Sequence, residues 1–120
     1  MPEFKDINDK VYKIIGVFME VHRELGPGFP VDYYTRAVSA EFDNKSFSYE
    51  REKSYEVVYK DLLLGDAEID FLIEDDVLAL IMCKDDISDT EIQHMLRLIK
   101  MSKTSVGILA NFGQAKFLYK

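Results

Sequence analysis

The sequence predicts an α/β domain in which helices cover a mixed sheet, and three observations carry that reading. Apolar residues up to Asn44 recur at helical spacing, whereas beyond Asn44 they alternate with a period of two. An all-apolar run at residues 77–83 is followed by a helix-start signal and then by a second apolar run at residues 106–110. Two buried strands joined through a helix imply a parallel crossover in an otherwise antiparallel sheet.

The elements follow in order. Ile7, Val11, Ile14, Ile15, Phe18 and Leu25 form the stripe of a first helix, capped by Asp6 or Asn8 and stopped by Gly26-Pro27-Gly28. Pro30 suits the opening of a second helix, where a missing N–H costs nothing, and Asp32 suits its positive end. Tyr34, Ala37, Val38 and Phe42 supply the apolar face of that helix. Residues 47–51 and 55–59 alternate as two short strands, with Lys60-Asp61 and Gly65-Asp66 as turn signals. Ile69, Phe71 and Ile73 mark a third strand, with Asp70 on its other face.

Residues 77–83 suit a central strand buried on both faces. Ser88-Asp89-Thr90-Glu91 reads as a capping box, opening a helix that buries Ile92, Met95, Leu96 and Ile99. Residues 106–110 give another buried strand, and after the turn at Asn111-Phe112-Gly113, residues 116–119 close as an edge strand. The expected order is α-α-β-β-β-β-α-β-β.

At 120 residues and 13.9 kDa, residues 1–120 are expected to form one domain. With 48% apolar and 31% charged residues, the composition is that of a globular protein rather than a disordered one. No apolar run approaches the ~20 residues of a membrane span. The single cysteine, Cys83, allows neither an intrachain disulfide nor a cysteine zinc cluster. No basic-then-apolar leader is evident, so the expected compartment is the cytoplasm.

The net charge of −7 is unevenly placed. Residues 65–92 hold ten acids against Lys84 alone, whereas residues 93–120 hold five basic groups and no acid. Polyanion binding depends on neutralising phosphates, so a chain of this charge is a poor candidate for non-specific nucleic-acid binding. Arg97, Lys100, Lys103, Lys116 and Lys120 read as a solvated helix face and strand end.

Several motifs bear a resemblance. They are Ile14-Ile15-Gly16, the stretch Glu20-Val21-His22-Arg23-Glu24-Leu25-Gly26-Pro27-Gly28, Tyr34 with Ala37, Glu50-Arg51, Gly65, Ile69-Asp70, Gly107-Ile108-Leu109 and Asn111-Phe112-Gly113. On these the chain resembles the GxxExxY family, a branch of the PD-(D/E)XK nuclease-like superfamily, from Ile14 to Phe112 without a gap. The nine residues 20–28 are the specific part. The resemblance implies a restriction-endonuclease-like core: a mixed four-stranded sheet flanked by helices, here with a short extra strand pairing at the edge. It also implies a metal site. A strand aspartate and an E-x-K on the next strand hold Mg²⁺ and a water, and a glutamate on an early helix completes the set. Hard oxygen ligands suit Mg²⁺, the metal stabilises the phosphate transition state, and the lysine orients or deprotonates the attacking water.

Of that implied set this sequence keeps one member. In G-x-x-E-x-x-Y, Gly28 and Tyr34 match but the glutamate position is Val31. The aspartate is Asp70, while the E-x-K positions read Leu80-Ile81-Met82. The arginine usual before the aspartate is replaced by Glu68, and the family's helix glutamine falls at His94. No metal is expected to bind. Val31, Leu80 and Met82 are expected to pack together, and Asp70 to reach solvent, accept hydrogen bonds or bind protons more readily. A displaced site of Asp70, Lys84 and Asp86 is the alternative, and under it alone Mg²⁺ is the cofactor and the activity is DNA or RNA cleavage.

Other candidates read as structural. His22 is expected to cap the end of the first helix, Tyr34 to pack with its hydroxyl bonded, and Cys83 to be a core thiol. His94 is expected to be partly buried or paired with an acid. An inactive nuclease-like domain that binds itself or another protein is the expected function. A cleft turned apolar and a short last strand both leave surface to cover, so a homodimer is expected.

Overall fold

Each element of the computed structural model, which describes residues 3–120, has a local cause. Helix α1 (Ile7–Leu25) starts where the Asp6 carboxylate accepts the Asp9 N–H at 2.9 Å. It ends at Gly26, whose φ of 68° is left-handed and whose N–H donates to the His22 carbonyl at 2.7 Å. Helix α2 (Val31–Asn44) begins after Pro30 and buries Tyr34, Val38 and Phe42, spaced by one turn each.

Strand β1 (Tyr49–Tyr59) is continuous, where the sequence suggests two strands. Glu52 is left-handed (φ 55°), yet the alternation of half-buried and exposed residues runs through it and the strand continues. A two-residue turn at Lys60-Asp61 leads to β2 (Leu62–Ile73), antiparallel to β1. Gly65-Asp66 is therefore no turn. Gly65 pairs with Val57, and the register shifts there because Leu64 is an extra residue, a β-bulge.

Strand β3 (Val77–Met82) pairs antiparallel with β2 and parallel with β4 (Val106–Asn111), the crossover being α3 (Asp89–Ser102). Both halves of the Ser88/Glu91 capping box are formed. Strand β5 (Leu118–Tyr119) pairs antiparallel with β4, so the sheet has five strands in the order β1-β2-β3-β4-β5.

The sheet carries a core on each face. On one, Ile14, Phe18, Tyr34, Val38 and Phe42 of α1 and α2 pack on Phe71, Val77, Ala79 and Ile81. On the other, Met95 and Leu98 of α3 pack on Leu78, Met82 and Leu109. Strand β3 therefore faces both cores on alternate residues, which is why it is apolar throughout. On α3 the buried residue is Leu98 rather than Leu96, which is exposed. Among the described residues no helix is long and apolar enough to cross a membrane.

Candidate functional site

Strands β2 and β3 pair only at Phe71–Ala79, Leu72–Leu78 and Ile73–Val77. Beyond that point they part, and Asp70 and Leu80 stand at the fork. Asp70 closes it with its side chain: Oδ2 accepts the Ile81 N–H at 2.7 Å, in place of the next ladder bond. On the other side of β2, left-handed Glu52 lies opposite Asp70. The aspartate thus sits at an irregularity of both its neighbours.

Burial pushes the Asp70 carboxyl above its usual range. The Ile81 N–H and the Arg51 guanidinium oppose that rise, and the Glu52 charge adds to it. Arg51 is a member of the site that the sequence reading did not single out. Its guanidinium lies 5.7 Å from the Phe71 ring centre, and its Nε is buried without a hydrogen-bond partner. The Glu50-Arg51 motif and the antiparallel register with residue 71 are the signals that mark it.

The remaining positions of the implied metal set are apolar and lie apart. Leu80 is half-buried against the α3-side core, and Met82 lies inside that core with Leu78, Met95 and Leu109. Val31 joins neither core. It is 44% exposed, because it is the first residue of α2 and falls outside the stripe of Tyr34, Val38 and Phe42. The expected packing of Val31 on Leu80 and Met82 is therefore corrected to a Leu80 and Met82 contribution alone.

Lys84, Asp86 and Asp70 are each engaged separately. The Lys84 ammonium pairs with Glu91 at 2.9 Å, and Asp86 Oδ1 accepts the N–H of its neighbour Ile87 at 2.8 Å. Lys84 also lies beyond the end of β3, in a loop, so it does not continue the Leu80–Met82 face. Among the described residues no group of three His, Cys, Asp or Glu side chains is placed to hold a metal. The residues present do not fit Mg²⁺: one carboxylate already accepts a backbone N–H, and the partner positions the resemblance implies are leucine and methionine, which offer no oxygen donor.

Several of the matched motif residues, by contrast, have structural uses. Tyr34 is buried: its hydroxyl donates to the Gly26 carbonyl and accepts the Phe29 N–H at 3.3 Å, and its ring stacks on Phe112 at 5.0 Å. Gly26 and Gly28, at φ 68° and 112°, bracket Pro27 in the turn that Tyr34 clamps. Glu20 pairs with Lys45 at 2.6 Å, tying α1 to the end of α2. His22 does not cap its own helix; its Nε2–H donates to the Gln114 carbonyl at 2.7 Å. That reach across the chain is possible because the ring lies beside Phe112 and Phe117.

Asn111 performs the same service at the strand ends. Its Oδ1 accepts the Lys84 and Gly113 N–H groups at 2.9 and 3.0 Å, and its Nδ2 donates to the Lys84 carbonyl at 3.0 Å. Gly113 is required there, since a Cβ would lie 2.6 Å from the Lys84 nitrogen.

Cys83 is exposed rather than in the core, because β3 ends at Met82. Partial burial still pushes its thiol up, the opposite of what a nucleophile needs. His94 is exposed on the outer face of α3.

Comparison with known families matches residues 8–119 to the PD-(D/E)XK nuclease superfamily. No curated protein and no solved structure matches the chain. The GxxExxY branch rests on the motif residues alone. With almost the whole length matched, and with a mixed sheet that forks at the aspartate, the chain belongs to the PD-(D/E)XK nuclease superfamily.

Proposed function

We propose that this domain is a nuclease-type scaffold that has lost hydrolysis and acts by binding protein. One observation carries the reading. At the fork where the superfamily gathers carboxylates, lysine and metal, this chain places Leu80 and Met82 against the α3-side core and ties Asp70 to the Ile81 N–H. A lone carboxylate, pushed toward its protonated form by burial, supplies neither a metal ligand set nor a base for water. The net charge of −7 supports the same reading, because it opposes nucleic-acid binding.

The motif residues support it from the other side. Tyr34, His22, Asn111 and the turn glycines all hold the fold together, so the scaffold persists where the chemistry does not. Cleavage tests the proposal. Single- and double-stranded DNA and RNA are incubated with the protein in Mg²⁺ or Mn²⁺, with Asp70→Ala beside it. The proposal expects no turnover above the variant's background. Metal-dependent cleavage abolished by Asp70→Ala refutes it.

A further inference from the structure

The sheet ends at β5, which no further strand covers. The main chain there faces two ways. The Lys120 N–H donates to the Leu109 carbonyl at 3.0 Å, and its carbonyl accepts the Leu109 N–H at 2.8 Å. Tyr119 lies one place along the ladder, opposite Ala110, so its N–H and C=O turn away from β4. A donor and an acceptor are thus held at strand geometry on an open edge, the template on which an extended segment pairs.

That edge runs beside a cavity. Tyr12, Lys13, Ile15, Gly16 and Met19 of α1, with Tyr119 of β5, line about 230 Å³, room for an apolar side chain. Gly16 keeps it open. Glycine in a helix interior costs stability, and nothing lies within 4 Å of the Cβ that Gly16 lacks. No contact inside the molecule requires a glycine there, whereas a side chain would occupy the cavity. A strand added beside β5 turns alternate residues to the α1 side of the sheet, where Phe117 and Tyr119 stack and the cavity opens.

Charge narrows the occupant. The chain is −7 overall, but residues 93–120 carry five basic groups and no acid. Lys116 and Lys120 flank β5 in the chain, and Lys13, paired with Asp9 at 3.2 Å, lines the cavity. Leu118 packs on the α3-side core, so the basic helix α3 flanks the same edge on the other face. A second copy pairing β5 on β5 would set groups of one sign against each other, whereas an acidic segment neutralises them.

We infer that the β5 edge takes an extended, acidic segment of another protein as a sixth strand, with one of its apolar side chains in the cavity beside Tyr119. This deepens the proposed function and rests on its reading that the domain binds protein.

The test selects a displayed library of short random peptides on the full chain and measures the recovered peptides by titration calorimetry. The expected peptides alternate apolar and acidic residues and protect the Tyr119 amide from hydrogen exchange. Tyr119→Pro removes the outward N–H and no ladder bond. Gly16→Gln fills the cavity with a good helix former. Each is expected to weaken binding by more than about tenfold. Circular dichroism and the urea midpoint check the fold, and Gly16→Gln, in open space, decides the test if Tyr119→Pro loses stability. Peptides without acidic bias, binding unchanged in Gly16→Gln, or no peptide recovered overturn the inference. A dimer that Tyr119→Pro dissolves gives the edge to a second copy and overturns it too, as does an oligonucleotide that displaces the peptides. No peptide and no cleavage refute the edge alone, whereas cleavage abolished by Asp70→Ala refutes the reading beneath it.

Discussion

Met82→Lys places a lysine where the resemblance implies one on β3, and in this chain it is expected to destabilise the fold. Met82 is 9% exposed and packs with Leu78, Met95 and Leu109. Losing a buried methionine contact costs about 1.5–3 kcal/mol. The lysine stem recovers part of that, but its ammonium finds no carboxylate at Leu80 and must stretch past the end of β3 to reach water. A net loss of about 3 kcal/mol is expected, a large share of the ~5–15 kcal/mol that holds a domain together. Urea unfolding followed by circular dichroism measures it, with an unchanged slope showing that only stability has moved. The triple variant Val31→Glu, Leu80→Glu, Met82→Lys is expected to remain destabilised without metal. A Met82→Lys midpoint indistinguishable from wild type refutes the reasoning, because it means that the fork is a solvated pocket and not part of the core.

Four further outcomes are expected. Gly113→Ala is expected to lose about 1–3 kcal/mol in urea unfolding, since its Cβ meets backbone of Cys83 and Lys84. Gly16→Ala, in open space on α1, is expected to gain about 0.5–1 kcal/mol. Glu91 is held down to about 2, first by Lys84 and then by the Ser88 N–H, so its contribution is fully present above pH 4.5 and is lost as pH falls towards 2. An acid titration of stability should show that loss, and Glu91→Gln should remove it. Asp70 has the opposite sign: a raised carboxyl means that its charge opposes folding at neutral pH, and that this penalty fades on acidification towards 3.8. Asp70→Asn, which keeps an acceptor for the Ile81 N–H, should therefore match or exceed wild-type stability at pH 7, with the gap closing near pH 4; a clear loss at pH 7 counts against the account.

Sequence was informative wherever a local rule had one structural solution. The capping box opens α3 at Ser88, and the all-apolar run is the central strand because both its faces meet a core. The motif from Glu20 to Gly28 and Tyr34 led to a fold whose turn these residues clamp. It failed where a local signal has two solutions. Gly65-Asp66 reads alike as a turn or as a bulge, and only pairing with Val57 decides for the bulge. The polar residues Glu52, Lys53 and Ser54 break the apolar pattern, so β1 read as two strands, although backbone pairing with β2 carries it through. Val31, Cys83 and His22 depended on where elements end and on what crosses the chain to meet them, and periodicity carries no information on either. Of the site, the apolar character of Leu80 and Met82 was legible residue by residue. The contact of Asp70 with the Ile81 N–H and the proximity of Arg51 arise from the fork between strands, which exists only in three dimensions.

The central claim is that the fork no longer holds a metal. Calorimetric titration of the protein with Mg²⁺ and Mn²⁺, run in parallel on Asp70→Ala, tests it most directly. The account predicts no saturable heat that distinguishes the two proteins. Saturable binding at one site in the wild type, lost in Asp70→Ala, contradicts it.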